Sequence, residues 1–120
     1  TLSQHVATAA LSPDVLALLE RRRDMLRRRR DLLLAVLPQL GFSLPTTPAG
    51  AFYVFAALPP EALDAPAFAV SLLDAAGVAV APGVDFGGAQ AARMLRLAYT
   101  EDESRLREAC NRVAAFSYGG

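Results

Sequence analysis

The chain has 120 residues, of which 53% are hydrophobic, so it has room for one domain whose core needs no disulfide or metal. Its 12 basic and 12 acidic residues cancel, which argues against a general attraction to nucleic acid or to anionic lipid. The single cysteine, Cys110, excludes an internal disulfide and a metal site built from cysteine pairs.

The length of the aliphatic runs and the amino-terminal sequence indicate in which compartment the protein is expected. None reaches the roughly 18 residues that a membrane-spanning helix requires, so no segment is predicted to cross a membrane. Residues Thr1 to Ala10 lack the positive start and apolar block of a secretion signal. Together with the single cysteine, this predicts a cytoplasmic protein. Because the chain starts with Thr1 and not with Met, a cut or processed end is expected.

A long helix is predicted near the amino terminus. Ser12 can cap it, Pro13 suits the first helical turn, and Asp14 favours the positive end of the helix dipole. Apolar residues then recur at helical spacing as far as Pro38 and Gly41, which are typical of a helix end.

Two arginines interrupt the apolar stripe of this helix. Arg22 and Arg29 stand one and two heptads after Val15 and lie on nearly the same face, so that face is not all core. Residues 20 to 31 contain seven arginines and three acids, a net charge of +4. The arginines point all round the helix and no aromatic residue lies between them. This pattern favours a solvated helix or an interdomain contact over a nucleic-acid site.

The middle of the chain predicts a strand and a second helix. Residues 51 to 56 are aromatic and β-branched enough for a strand. Residues 45 to 50 are typical of a turn, so the short apolar segment 42 to 44 is expected to pair with that strand. Helical spacing then runs from Pro66 to Ala76 and stops at Gly77.

The last third predicts two further strands and a helix. Residues 78 to 81 indicate a short buried strand, residues 82 to 88 a loop, and residues 94 to 99 alternate as a strand does. Thr100 is predicted to cap the last helix, with Glu103 as the return half of a capping box. The element order predicts an α/β domain in which a short sheet packs against helices.

Four residues could carry catalytic or metal chemistry by type alone. His5 has no second His or Cys nearby, so a surface or packing role is predicted. Cys110 shares a helical face with apolar residues and is interpreted as core. Ser71 and Ser104 have no base or nucleophile-elbow glycines around them. No metal site and no nucleophile is therefore predicted.

Arg96 is different, because it lies in the middle of an otherwise apolar strand. The glycine loop before it would let a ligand approach closely. A guanidinium left unpaired there would be costly, so a carboxylate or phosphate, from the protein or from a ligand, is the expected partner. Strand alternation also allows Arg96 simply to face outward, opposite to Leu95 and Leu97. Both interpretations stay open at this point.

Three segments, in this order, carry a resemblance to a known family. They are Pro48-Ala49-Gly50-Ala51-Phe52-Tyr53, residues 76 to 87 with the sequence Ala-Gly-Val-Ala-Val-Ala-Pro-Gly-Val-Asp-Phe-Gly, and Leu95-Arg96-Leu97-Ala98-Tyr99. Together they resemble the carboxy-terminal small domain of class I/II, fold type I, pyridoxal-phosphate-dependent aminotransferases. The similarity extends from about Ser3 to Phe116. It implies that residues 1–12 connect from a large domain and that residues 13–120 form the small domain.

The resemblance also implies a role for Arg96. In this family the arginine of the last strand holds the α-carboxylate of the amino-acid substrate in a bidentate pair, and Arg96 is the one site residue carried over. The family reaction needs pyridoxal phosphate held as a Schiff base by a lysine, yet the 12 basic residues of this chain are all Arg. The cofactor and the catalytic residues are therefore expected in a large domain outside this chain, which alone should be inactive.

The parent enzyme implied by the resemblance would act on amino acids and 2-oxo acids as a homodimer, without nucleic acid or membrane as partners. A β-lyase or an acyl-CoA-dependent synthase on the same scaffold would use the same arginine. From another class, the chain could be a stand-alone binding module that has kept the fold and lost the chemistry. A lysine-bearing large domain encoded upstream of Thr1 would favour the enzyme over the module.

Overall fold

The amino-terminal third of the chain is helical. A computed structural model describes residues 1–62 and 64–116; residues 117–120, which the sequence assigns to the small domain, lie outside the described residues. Helix α1 (Leu2–Ala10) was not predicted; Thr1 caps it in a capping box with Gln4. It is followed by α2 (Pro13–Val36), as the sequence predicts, and a 3₁₀ turn continues α2 from Leu37 to Leu40.

The predicted start of α2 is only partly correct. Ser12 occupies the N-cap position and Pro13 the first turn, but the Ser12 side chain makes no capping hydrogen bond. The end matches the prediction, because Gly41 adopts a left-handed φ of 88° that a side chain would disfavour. None of the described helices is long and apolar enough to cross a membrane.

The first part of this helical region is not packed on the core. No residue of α1 is buried, and the buried residues of α2 begin at Leu32, close to its carboxyl end. Large apolar side chains remain exposed along this stretch: Leu2, Val6, Leu11, Leu16, Leu18 and Leu19. Several exposed large apolar side chains in one region are typical of a surface that another part of a protein covers.

We therefore expect the isolated chain to self-associate through α1 and the first half of α2. Sedimentation velocity should show a concentration-dependent shift, and a hydrophobic dye should bind. Leu16→Glu should reduce both effects, because it places a charge within the apolar surface. Val70→Glu, at an exposed position elsewhere, is the matched control and should leave both unchanged. A monomer at high concentration without dye binding would contradict this prediction.

Three strands form an antiparallel sheet in the order β1-β3-β2. β3 (Met94–Ala98) pairs with β1 (Tyr53–Ala57) along its whole length, whereas β2 (Ala81–Pro82) contacts β3 at two residues. The predicted pairing of segment 42 to 44 is confirmed at one residue, because Ser43 forms a bridge with Ala57. The fold is thus a mixed α/β domain with a short sheet, as the sequence predicts.

The buried strand predicted over residues 78 to 81 is wrong in extent. Only Ala81 of that segment belongs to β2, and both residues of β2 are half-buried. Val78 and Val80 pack their side chains against the core, but their backbone does not pair with β3. The apolar pattern in this segment reflects side-chain packing and not strand pairing.

One face of the sheet forms the core. Val54, Ala56 and Leu95 are fully buried there, against α3 (Ala65–Ala76) and α4 (Glu103–Ala115). The helix predicted from Pro66 to Ala76 is confirmed as α3, and Gly77 ends it with a φ of 65° as predicted. Asp64, which was not predicted as a cap, caps its amino end. The core prediction for Cys110 is also confirmed, and its burial raises the pKa of the thiol.

The capping residue predicted for α4 is wrong. Asp102 is the N-cap, and its Oδ1 accepts hydrogen bonds from the Arg105 backbone N–H at 2.9 Å and the Ser104 hydroxyl at 2.7 Å. The backbone bond first, and then the hydroxyl, lower the pKa of the Asp102 carboxyl. The carbonyl of Thr100 instead accepts a hydrogen bond from Arg29 at 2.9 Å, which ties α2 to the end of β3.

Candidate functional site

Arg96 lies at the centre of the sheet, in the middle of β3. It pairs with Phe55 on β1 and with Ala81 on β2, so it is flanked on both sides by backbone. Its neighbour Leu95 is fully buried in the core, whereas Arg96 is half-buried, because successive side chains of a strand point to opposite faces. The Arg96 side chain therefore lies on the outer face of the sheet, away from the helices.

Two aromatic rings contact the guanidinium on this face. Its central carbon lies 4.3 Å from the centroid of the Phe86 ring and 5.3 Å from that of Tyr53. Both distances are within the range of a cation–π interaction. Phe55, the strand partner of Arg96, packs edge-on against Phe86 with the ring centroids 6.2 Å apart. The outer face is thus an arginine among three aromatic side chains.

A glycine turn brings Phe86 to this position. The 3₁₀ turn Gly83–Phe86 follows β2 and presses against β3. A Cβ at the buried Gly83 would lie 2.8 Å from the backbone oxygens of Ala91 and Met94, which is closer than real atoms approach. Glycine is therefore required at position 83 for the turn to pack this closely. Gly87, with a φ of 79°, then leads the chain away.

The motif that contains Tyr53 is held in place from two sides. The hydroxyl of the buried Tyr99 donates a hydrogen bond to the carbonyl of Ala51 at 3.1 Å, and burial raises the pKa of that hydroxyl. Arg30 on α2 donates to the carbonyl of Pro48 at 3.1 Å. These bonds fix the turn that leads into β1, and thus the place of Tyr53 beside Arg96.

Among the described residues, no acceptor pairs with the Arg96 guanidinium. Within residues 1–62 and 64–116, it makes no hydrogen bond and no ion pair, and its contacts are those with the two rings. Arg93, three residues earlier, differs because it donates to the carbonyl oxygens of Pro59 and Ala62. Arg93 is therefore structural, whereas the donors of Arg96 face outward and can meet a ligand.

The other sequence candidates do not join Arg96. His5 is exposed on α1, Cys110 is buried, and Ser104 donates its hydroxyl to Asp102. Ser71 is half-buried on α3. Among the described residues, no cluster of His, Cys, Asp or Glu could hold a metal ion.

The arginine-rich part of α2 is consistent with a solvated helix. Arg23 pairs with Glu20 at 2.7 Å on the helix surface. Arg28 lies 3.5 Å from Glu103, so it also contacts the start of α4. These exposed pairs contribute little stability, because water screens them.

A groove of about 410 Å³ lies between α4, the end of α2 and the segment after Gly77. Arg96 is not among its lining residues. The charged side chains at its rim form ion pairs with each other, Arg105 with Glu101 and Arg112 with Glu108. The groove therefore lacks the outward-facing, unneutralised charge that distinguishes the outer face of the sheet.

Comparison with known sequences decides the family. The sequence profile described as aminotransferase class I and II matches residues 1–113. The chain belongs to this family. Among similar proteins, the aspartate/prephenate aminotransferase of Thermus thermophilus is 46% identical over 98 residues, which cover 82% of this chain and 24% of that protein. The valine–pyruvate aminotransferase of Mycobacterium tuberculosis is 32% identical over 96% of this chain and 30% of its own length.

Solved structures agree with the sequence comparison. A crystal structure of an aminotransferase from Mycobacterium tuberculosis superposes with a TM-score of 0.88 and 34% identity, over 95% of this chain and 30% of that chain. Aspartate aminotransferase from Thermus thermophilus with maleate gives a TM-score of 0.77 and 44% identity, over 88% and 27%. The chain thus spans between about a quarter and a third of the length of the family members it matches.

Class I and II aminotransferases use pyridoxal phosphate, and this chain alone does not fit that cofactor. It contains no lysine, so it offers no ε-amino group for the cofactor aldehyde. Its one other amino group, on Thr1, donates a hydrogen bond to Gln4 at 3.1 Å in the exposed capping box of α1. The chain by itself therefore offers no lysine that could hold the cofactor aldehyde as a Schiff base.

Sequence reasoning found Arg96 but missed the part that Phe86 and Tyr53 play beside it. Tyr53 was predicted in the strand over residues 51 to 56 and Phe86 in the loop over residues 82 to 88, and both lie in family-like segments. No local signal in the sequence distinguishes Phe86 from other apolar residues of a loop. Its contact with Arg96 depends on how the turn packs, which the sequence alone does not give.

Proposed function

We propose that the parent protein transfers an amino group between an amino acid and a 2-oxo acid with pyridoxal phosphate, and that Arg96 binds the substrate α-carboxylate. The observation that carries this proposal is the Arg96 guanidinium, which lies on the outer face of the sheet with no acceptor among the described residues. Such a cation calls for an anionic partner from a ligand.

The shape of the guanidinium suits a carboxylate. Its planar fork donates two parallel hydrogen bonds to the two carboxylate oxygens, which fixes the orientation of the ligand as well as its position. Holding the α-carboxylate in this way also fixes the adjacent Cα, from which a proton must be removed. Pyridoxal phosphate, held by the rest of the parent protein, would supply the electron sink for that step.

The names of the relatives support a site that binds the group which all amino-acid substrates share. They include aspartate, arginine, valine and LL-diaminopimelate aminotransferases. These amino acids differ in their side chains but share an α-amino group and an α-carboxylate. A fixed arginine for the shared carboxylate is compatible with all of them, whereas the selection of the side chain needs other residues.

The proposal includes the organisation of the parent protein. Residues 1–12 connect from a large domain that holds the cofactor, residues 13–120 form the small domain, and the parent works as a homodimer. Two observations support this division. The chain spans 24 to 30% of the first relatives' length, and its α1 and early α2 expose an apolar surface that fits a covered contact.

The absence of lysine leads to a direct prediction. Pyridoxal phosphate added to the purified chain should not stay bound after dialysis, because no ε-amino group can capture the aldehyde. Absorbance spectroscopy after dialysis is the measurement, and the full-length protein is the positive control. Retained cofactor absorbance would contradict the prediction if it persists after the amino terminus is acetylated.

Kinetics of Arg96 variants in the full-length enzyme test the central assignment. An amino acid and its decarboxylated amine should respond differently, since only the amino acid offers the group that Arg96 is proposed to bind.

A further inference from the structure

We propose that Phe86 and Tyr53, here called the aromatic clamp, are positioning residues that hold the plane of the Arg96 guanidinium so that its donor edge faces the substrate. The inference rests on the proposed role of Arg96 and adds how that role is achieved. The clamp acts through Arg96 and does not itself bind the carboxylate.

The first observation that supports the aromatic clamp is the set of contacts that Arg96 makes. Within residues 1–62 and 64–116, neither a carboxylate nor a carbonyl oxygen fixes the guanidinium, and the two rings contact it at 4.3 and 5.3 Å. A long side chain with several rotatable bonds would otherwise sample many orientations at the surface. The clamp is therefore the part of the structure that restricts where the guanidinium points.

The second argument for the aromatic clamp is that its contacts with Arg96 are aromatic and not acidic. An acidic neighbour would hold the guanidinium equally well, but it would occupy the N–H donors that a substrate carboxylate needs. An aromatic ring attracts the cation but has no carboxylate oxygen, so it leaves the N–H donors available to a substrate. Among the described residues, Arg96 contacts two rings and no acceptor, so it can be oriented and still unneutralised, which is what a carboxylate receptor requires.

The third argument for the aromatic clamp is that Phe86 is itself held in position. Phe55 packs edge-on against it at 6.2 Å, and Phe55 is the residue that pairs with Arg96 across β1 and β3. Behind Phe86, the close packing at Gly83 fixes the turn against β3. Phe86 is 48% exposed, so part of its ring stays open to solvent. The ring is thus anchored at its base while its face meets Arg96.

The test uses the full-length enzyme with Phe86→Ala, and with Tyr53→Leu as the second member of the clamp. Each should raise KM for an amino acid about two- to fivefold with a smaller change in kcat, because a cation–π contact at a partly exposed site is modest in strength. The decarboxylated amine should be unaffected. Tyr53→Phe is the conservative variant, since it removes the hydroxyl and keeps the ring, and it should recover most of the affinity that Tyr53→Leu loses.

A double-mutant cycle shows whether the clamp acts through Arg96. In an Arg96→Ala background, Phe86→Ala should cause no further loss, because the group that it orients is gone. A full additional loss in that background would overturn the clamp, as would unchanged KM in the single Phe86→Ala variant.

Crystal structures of the full-length wild type and the Phe86→Ala variant separate the two proposals. The clamp predicts that the Arg96 guanidinium rotates or becomes disordered in the variant, and an unchanged guanidinium would overturn it. This readout does not depend on what Arg96 binds. If Arg96→Ala instead affects the amino acid and the amine equally, the carboxylate assignment fails, whatever the position of the guanidinium.

Discussion

Replacing Arg96 with alanine in the full-length enzyme is expected to lower kcat/KM for amino acids by about tenfold to more than a hundredfold. The loss would follow from removing the proposed pair between Arg96 and the substrate α-carboxylate, because a hydrogen bond to a charged group is worth about 1.5 to 3 kcal/mol. Arg96→Lys keeps the charge but loses the planar fork, so its kcat/KM should fall between wild type and the alanine variant.

The decarboxylated amine serves as the control substrate for these two variants. Its kcat/KM should change much less, because the deleted interaction was never available to it. Equal losses on the amino acid and the amine would mean that Arg96 supports the fold and does not bind the carboxylate. Circular dichroism of each variant should match wild type, since Arg96 makes no hydrogen bond or ion pair within residues 1–62 and 64–116.

The largest effect on stability is expected at Phe68 on α3. Its ring is 1% exposed and packs edge-on against Phe42, with 6.0 Å between the ring centroids, and against Phe116 at 5.6 Å. Phe68→Ala should lower the free energy of unfolding by about 3 to 5 kcal/mol, because it removes buried apolar surface and leaves a cavity. Urea denaturation followed by circular dichroism measures the loss.

Val70 lies on the same helix and is 61% exposed, so Val70→Ala is the matched control for Phe68. We expect its free energy of unfolding to stay within about 0.5 kcal/mol of wild type. Similar losses for the two variants would indicate that α3 does not pack on the core through Phe68.

The helices were predictable where local residues set their ends. α3 stops at Gly77 as predicted, because a glycine that ends a helix acts within its last turn. Its N-cap, Asp64, is an equally local signal but was not predicted. α1 was missed although the sequence contains a signal for it, since Thr1 and Gln4 have the spacing of a capping box. Asp102 was missed as the cap of α4 because Thr100 gave an equally good local pattern.

Strand pairing was harder to predict, because it depends on partners elsewhere in the chain. Residues 78 to 81 have the composition of a buried strand, but β2 pairs only at Ala81 and Pro82. Whether an apolar segment pairs or only packs is decided by the neighbouring strand, and a short apolar run does not distinguish the two.

The orientation of Arg96 could be predicted from strand alternation, whereas its neighbours could not. The alternation around Arg96 correctly allowed an outward-facing side chain, since Leu95 points into the core. Its aromatic neighbours were not predictable, because Tyr53 reaches Arg96 through the register of β1 on β3. Phe86 reaches it through a turn whose packing depends on a close approach at Gly83. Both contacts are tertiary, and no local pattern encodes them.

The strand order has a consequence for how the protein folds during synthesis. β3 (Met94–Ala98) is the central strand, yet it is the last of the three to leave the ribosome. β1 and β2 do not pair with each other, so neither has a partner strand until β3 emerges. α2 can form early because its backbone hydrogen bonds are local, but the edge of β1 that pairs with β3 stays without its partner strand in the nascent chain, which favours chaperone binding at that stage. The sheet and the arginine at its centre are therefore completed in the same late step.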